Sequence, residues 1–293
     1  MFRPLSETLS AWEADGIDTT PFRAGVEIAG HRYAGYGLAE MLPLDRVLVG
    51  CESSRIGAFG GFHHPDQGYR HLQMVAVITM CGPMEGRNPE RPTLALLDLL
   101  RAYAHDCLHY GSRRRYVEVA GVPVRTQYGI NYRRASGQSY SAADQRGSHH
   151  TRNLGIVMEG ACDKEARIIT RQAAGQFGVT EPSDVLGALV FRDVTGTLME
   201  EDAGRVVDVP ESEEQTRYAA ALSGYEKGVN RRYSHFLEEF APGEENECHT
   251  RLLAAMISGD VAALGTWLDE RHGPGTFLGL FRTPGYFDPA LTA

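Results

Sequence analysis

Two short segments about fifty residues apart constrain this chain more than any other feature: His105-Asp106-Cys107-Leu108-His109 and Glu159-Gly160-Ala161-Cys162-Asp163. Each sets two polar side chains four residues apart inside a run that otherwise reads as helix. From Leu94 onward, Leu96, Leu97, Leu100, Ala104 and Cys107–Leu108 form an apolar stripe, and Gly111 is the expected C-terminal cap. That pattern predicts a helix of about 18 residues with the first segment in its last two turns. Residues i and i+4 of an α-helix share a face at about 6 Å. Two imidazoles so placed can each bring a nitrogen to ~2.0–2.1 Å from one Zn2+ ion.

The rest of the chain reads as α+β, with a β-containing N-terminal lobe over residues 1–150 and a mainly helical lobe over 151–293. The first 70 residues are glycine-rich and mixed in pattern, with β-like runs such as 46–50. His63-His64, in a turn-rich stretch, read as loop histidines. A largely apolar strand is expected at 71–80, ending at Cys81-Gly82-Pro83, and its near-continuous apolar run suggests cover on both faces. Residues 116–125 read as a hairpin turning at Ala120-Gly121, 127–132 as a further strand, and 136–148 as a polar loop. A second helix is expected from about 152–154 through Glu159 to about Ala174. Tyr218, Leu222, Tyr225, Val229, Phe236 and Phe240 mark an amphipathic helix over about 211–240, closed by Pro242-Gly243. Two shorter helices follow, over 247–258 and 260–271.

Composition narrows the partners. A net charge of −9 over 293 residues argues against nucleic acid or an anionic membrane surface, and the basic run Arg113-Arg114-Arg115 reads as a solvated helix exit. Five cysteines without a CxxC pair favour a reducing compartment over a disulfide framework. With no basic start followed by an apolar run at the N-terminus and no apolar stretch of ~18 residues, a soluble cytoplasmic protein is expected.

The histidine pair alone is weak evidence, since 11 histidines in 293 residues give roughly 0.4 such pairs by chance. An acid directly after the first histidine, Asp106, sharpens it. In hydrolytic zinc sites an acid there takes a proton from metal-bound water and passes it to the leaving group. A third ligand must come from elsewhere, with Glu159, His149 and His150 as the candidates. Cys107 is two residues on from His105, on roughly the opposite side of the helix, and reads as packing.

The arrangement resembles the gluzincin metallopeptidases, which carry HExxH on one helix and a glutamate ligand on a following helix. The resemblance covers about residues 70–175, including the strand-then-helix order that precedes the motif. It implies Zn2+ held by His105, His109 and Glu159, Asp163 hydrogen-bonded to a ligand histidine, and Asp106 as general base and then acid. It also implies a Tyr or His donor to the oxyanion from the helical lobe, for which Tyr225, Tyr233 and His235 are candidates. The implied activity is zinc-dependent cleavage of a peptide or small amide bond. Two departures stand out. HDCLH has aspartate where the family has glutamate, which withdraws the carboxylate by on the order of 1 Å, a displacement that can cost ~100-fold in rate. The interval from His109 to Glu159 is also longer than in the best-known members. The two rivals are a non-peptidase metalloenzyme using the same ligands, with Fe(II) a candidate, and an inactive peptidase-like binding protein.

Overall fold

A computed structural model describes residues 2–50, 60–64, 69–73, 91–136, 138–202 and 220–281. Helix and sheet are mixed, as expected, and the chain clusters into two compact units, each built from separated segments. Among the described residues no helix is long and apolar enough to cross a membrane.

Unit 1 comprises Met1–Tyr33, Glu40–Tyr110 and Asp163–Tyr225. Its sheet contains β1 (Phe2–Pro4), β2 (Val47–Gly50), β3 (Gly60–His64) and β4 (Tyr69–Gln73), in the order β1-β2-β4-β3. Strand β2 runs antiparallel to β1 and parallel to β4, and β3 is antiparallel to β4. The strand expected at 71–80 thus begins at Tyr69, and 74–80 lie outside the described residues. His63 and His64 end β3 instead of occupying a loop.

The N-terminal region departs most from expectation, because it contains helices α1 (Leu5–Ala14) and α2 (Thr20–Gly35). Three glycines make α2 a poor helix by propensity. One of them has a packing reason: a Cβ on Gly25 would lie 2.1 Å from Leu100 Cδ2, so any larger residue would force that buried leucine to shift. Leu100 belongs to α3 (Pro92–Gly111), which starts at a proline, as first turns tolerate, and ends where expected. Leu5, Leu9, Phe22, Tyr33, Leu97 and Tyr103 are buried in this unit's core. The Tyr33 hydroxyl donates to the Ala104 carbonyl at 2.8 Å and the Tyr103 hydroxyl to that of Leu42 at 2.6 Å, which satisfies both buried polar ends.

Unit 2 comprises Ala34–Ala39, Gly111–Cys162 and Glu226–Ala293. Strands β5 (Arg114–Val119), β6 (Val122–Tyr128) and β7 (Asn131–Tyr132) form an antiparallel meander. The first turn falls at the expected dipeptide, with Ala120 at φ 50° and Gly121 at φ 79°, the paired left-handed conformation of a type I′ turn. Helix α4 (Leu154–Gln176) is continuous and contributes 154–162 here and its remainder to unit 1. Helix α5 (Val185–Thr195) belongs to unit 1 and is capped by Asp184, whose side chain accepts from the Gly187 amide.

The long amphipathic helix is interrupted. Residues 220–225 are helical, a π-helical turn covers Glu226–Asn230, and α6 (Arg231–Phe240) follows, while 211–219 lie outside the described residues. Gly224 and Gly228 weaken the α-helical preference at that point. Helices α7 (Glu245–Ser258), α8 (Ala262–His272) and the short α9 (Thr276–Phe281) complete the unit around Tyr233, Phe236, Leu252, Trp267 and Phe281.

Candidate metal centre

Helix α3 is buried around most of its circumference, not along one stripe. Asp98, Arg101 and His105 are half-buried, and their spacing of three and four residues, continued to His109, draws a polar line along an otherwise apolar helix. Glu159, Asp163 and Arg167 draw a matching line at four-residue intervals along α4.

These lines bring the first-named candidates together. The ligand atoms of His105, His109 and Glu159 lie within 4.8 Å of one another, and this is the one such cluster of histidine, cysteine or acid among the described residues. His105 Nε2 and His109 Nε2 are 3.0 Å apart, with ring centroids at 4.7 Å. Two nitrogens each ~2.0–2.1 Å from a tetrahedral ion would be separated by roughly 3.3 Å, so this pair needs only a small adjustment to share one. Two neutral imidazoles and one carboxylate suit Zn2+, and the same set suits Fe(II). His109 is buried, while His105 and Glu159 are half-buried.

Asp106 is 3% exposed and stands about 100° round α3 from His105, outside the ligating cluster. Asp163 Oδ1 lies 3.9 Å from His105 Nδ1, close enough for electrostatic coupling but too long for the hydrogen bond the resemblance implied. Its oxygens are held by arginines. Arg101 Nε and Nη2 donate to Oδ1 and Oδ2 at 2.9 and 3.1 Å, and Arg167 Nε stands 3.0 Å from Oδ2. Burial alone would raise the Asp163 carboxyl, but Arg101, Arg167 and His105 more than offset it and hold the group well below the usual carboxylate range.

His149 and His150, the alternative third ligands, are exposed and lie outside the cluster. His150 Nδ1 approaches Glu239 Oε2 at 3.4 Å, and its ring centroid is 6.0 Å from that of His235. His235 Nδ1 is 3.2 Å from the His149 carbonyl. Tyr225 is half-buried directly ahead of the π-helical turn. Tyr233 is buried, with its hydroxyl 2.8 Å from His249 Nδ1. Cys107, Cys162 and Cys248 are buried and form no disulfide.

Sequence reasoning missed the arginines and the second aspartate beside this cluster. Arg101 Nη1 donates to Asp193 Oδ2 at 2.9 Å, and Arg167 Nη2 to Asp193 Oδ1 at 2.7 Å. Arg101 and Arg167 carried a signal in their helical spacing from the motif residues. Asp193, on α5, carried none. Comparison with protein-family models, curated proteins and solved structures finds no match.

Proposed function

We propose that this protein is a metal-dependent hydrolase of gluzincin-like type, with a zincin-like β-containing lobe, that cleaves a peptide or small amide bond. The observation that carries the reading is the convergence of His105, His109 and Glu159 from two helices to within 4.8 Å. These three side chains would hold Zn2+, which when bound supplies a water of lowered pKa and polarises the scissile carbonyl. Asp106 serves as the proton carrier, first as base and then as acid. Tyr225 and His235 are the candidates for the oxyanion donor. A cytoplasmic location fits the absence of a membrane-spanning helix among the described residues.

The burial of Asp106 and its short side chain favour one alternative, a non-peptidase reaction on a small molecule at an Fe(II) centre of the same ligands. The test is a peptide-library cleavage assay on apo-protein reconstituted with Zn2+ or Co2+, run beside Asp106→Asn. Restored cleavage that falls at least ~100-fold in the variant supports the reading. Cleavage unchanged in Asp106→Asn removes that residue's role. Oxygen-dependent turnover with Fe(II) and no cleavage selects the alternative.

A further inference from the structure

The ion pairs beside His105 close into a ring. Arg101 binds Asp163 through Nε and Nη2 and Asp193 through Nη1. Arg167 completes the circuit with Asp163 at 3.0 Å and Asp193 at 2.7 Å. The four side chains come from α3, α4 and α5, and none is more than 14% exposed. Two buried charges of each sign balance, and each arginine fork is shared between two carboxylates, so neither carboxylate can rotate without breaking pairs on two helices.

We propose that this ring is the device that orients the His105 imidazole for metal, and that Asp193 is a positioning residue of the metal centre. The inference rests on the metal-binding reading given above. It follows from which atom faces which. Asp163 Oδ1, the oxygen held by Arg101 Nε, is the atom 3.9 Å from His105 Nδ1. An anionic oxygen on that side favours the tautomer with its proton on Nδ1. The lone pair then sits on Nε2, the nitrogen 3.0 Å from His109 Nε2. Asp193 accepts from Arg101 Nη1 and Arg167 Nη2. It anchors the far ends of both arginines, and without it their forks are free to turn fully onto Asp163 and draw its oxygen away from the ring nitrogen. Loss of its charge also leaves the ring net positive beside a cation site.

The same helix region provides a control. Asp202 is likewise buried and pairs bidentately with Arg192 at 2.7 and 3.0 Å, so its loss should destabilise the protein without touching the ring. The experiment measures Zn2+ affinity by competition with a chromophoric chelator, in the full chain, for wild type, Asp193→Asn, Arg101→Lys and Asp202→Asn, with thermal unfolding recorded for each. Outer groups that orient metal ligands are worth ~10–100-fold in affinity, and about 10-fold weakening is expected for Asp193→Asn and for Arg101→Lys. Asp202→Asn should lower the unfolding temperature and leave affinity unchanged. If Asp193→Asn does not fold, Arg101→Lys, which keeps the charge but lacks the fork, carries the test. Wild-type affinity in the folded ring variants, or equal loss in Asp202→Asn, overturns the inference and leaves the metal site standing. A wild type that binds no Zn2+ overturns the metal-binding reading itself, and this inference with it.

Discussion

Gly160, inside the second motif, offers a sharp test of the packing that positions Glu159. A Cβ added there would lie 2.3 Å from Tyr233 Cβ, 2.5 Å from its Cγ and 3.1 Å from its Cδ1. Carbon atoms pack at about 3.5–4.0 Å, so in Gly160→Ala either α4 or Tyr233 must retreat by more than about 1 Å. Tyr233 cannot do so cheaply, because it is 1% exposed and its hydroxyl holds His249 Nδ1 at 2.8 Å. Overpacking costs typically about 1–3 kcal/mol. Leaving the buried hydroxyl and imidazole unpaired adds about 1–3 kcal/mol. The helix propensity gained by alanine returns about 1 kcal/mol. The net expectation is a loss of roughly 1–5 kcal/mol, centred near 3, or an unfolding temperature lowered by on the order of 10 °C. Gly175→Ala on the same helix is the matched control, since its Cβ would meet nothing within 4 Å. That variant should be neutral or stabilised by up to ~1 kcal/mol. Urea and thermal unfolding of both variants read the difference. If Gly160→Ala were as stable as wild type, the close approach of α4 and α6 described here would be wrong.

Three further outcomes follow from local physics. Burial, with Asp193 and Asp163 adding and Arg101 and Arg167 opposing, pushes the Asp98 carboxyl up to about 7, so ionising it costs stability as pH rises from about 4 through 7. Asp98→Asn should therefore be neutral at pH 4 and stabilising at pH 8 by on the order of 1–2 kcal/mol, less than the ~4 kcal/mol a fully buried group would carry; an equal effect at both pH values in urea titrations would contradict this. Ala120 sits at φ 50°, where a non-glycine residue costs about 1–2 kcal/mol, so Ala120→Gly or Ala120→Asn should stabilise the hairpin by about 0.5–1 kcal/mol in thermal unfolding. Asp184→Ala removes the cap of α5 and the Arg91 pair, at an expected cost of about 1 kcal/mol at pH 7. Gly187 and Arg91 hold the Asp184 carboxyl below its ordinary value, so that cost should shrink as acid protonates it.

What the sequence made legible was local. The helix ending at Gly111, the hairpin at Ala120-Gly121 and the continuous helix carrying Glu159 and Asp163 follow from periodicity and turn chemistry spanning a few residues. The i, i+4 spacing also placed His105 and His109 on one face. Helix α2 was hidden because Gly25, Gly30 and Gly35 resemble loop composition, although Gly25 is there to admit Leu100. The burial of α3 around most of its circumference was hidden because apolar residues lie well beyond the single stripe that periodicity picks out. The Arg101–Asp163–Arg167–Asp193 ring was hidden for a different reason. Only Asp163 and Arg167 are local partners; Arg101 pairs across 62 and 92 residues and Arg167 reaches Asp193 across 26, separations that no local spacing records.

The central claim is that His105, His109 and Glu159 hold one metal ion. Elemental mass spectrometry of the purified protein, beside His105→Ala and Glu159→Ala, tests it most directly. About one zinc per chain in the wild type, lost in both variants while their fold persists, is the predicted result. No bound metal in the wild type after reconstitution with Zn2+ or Fe(II), or full occupancy in either variant, would contradict it.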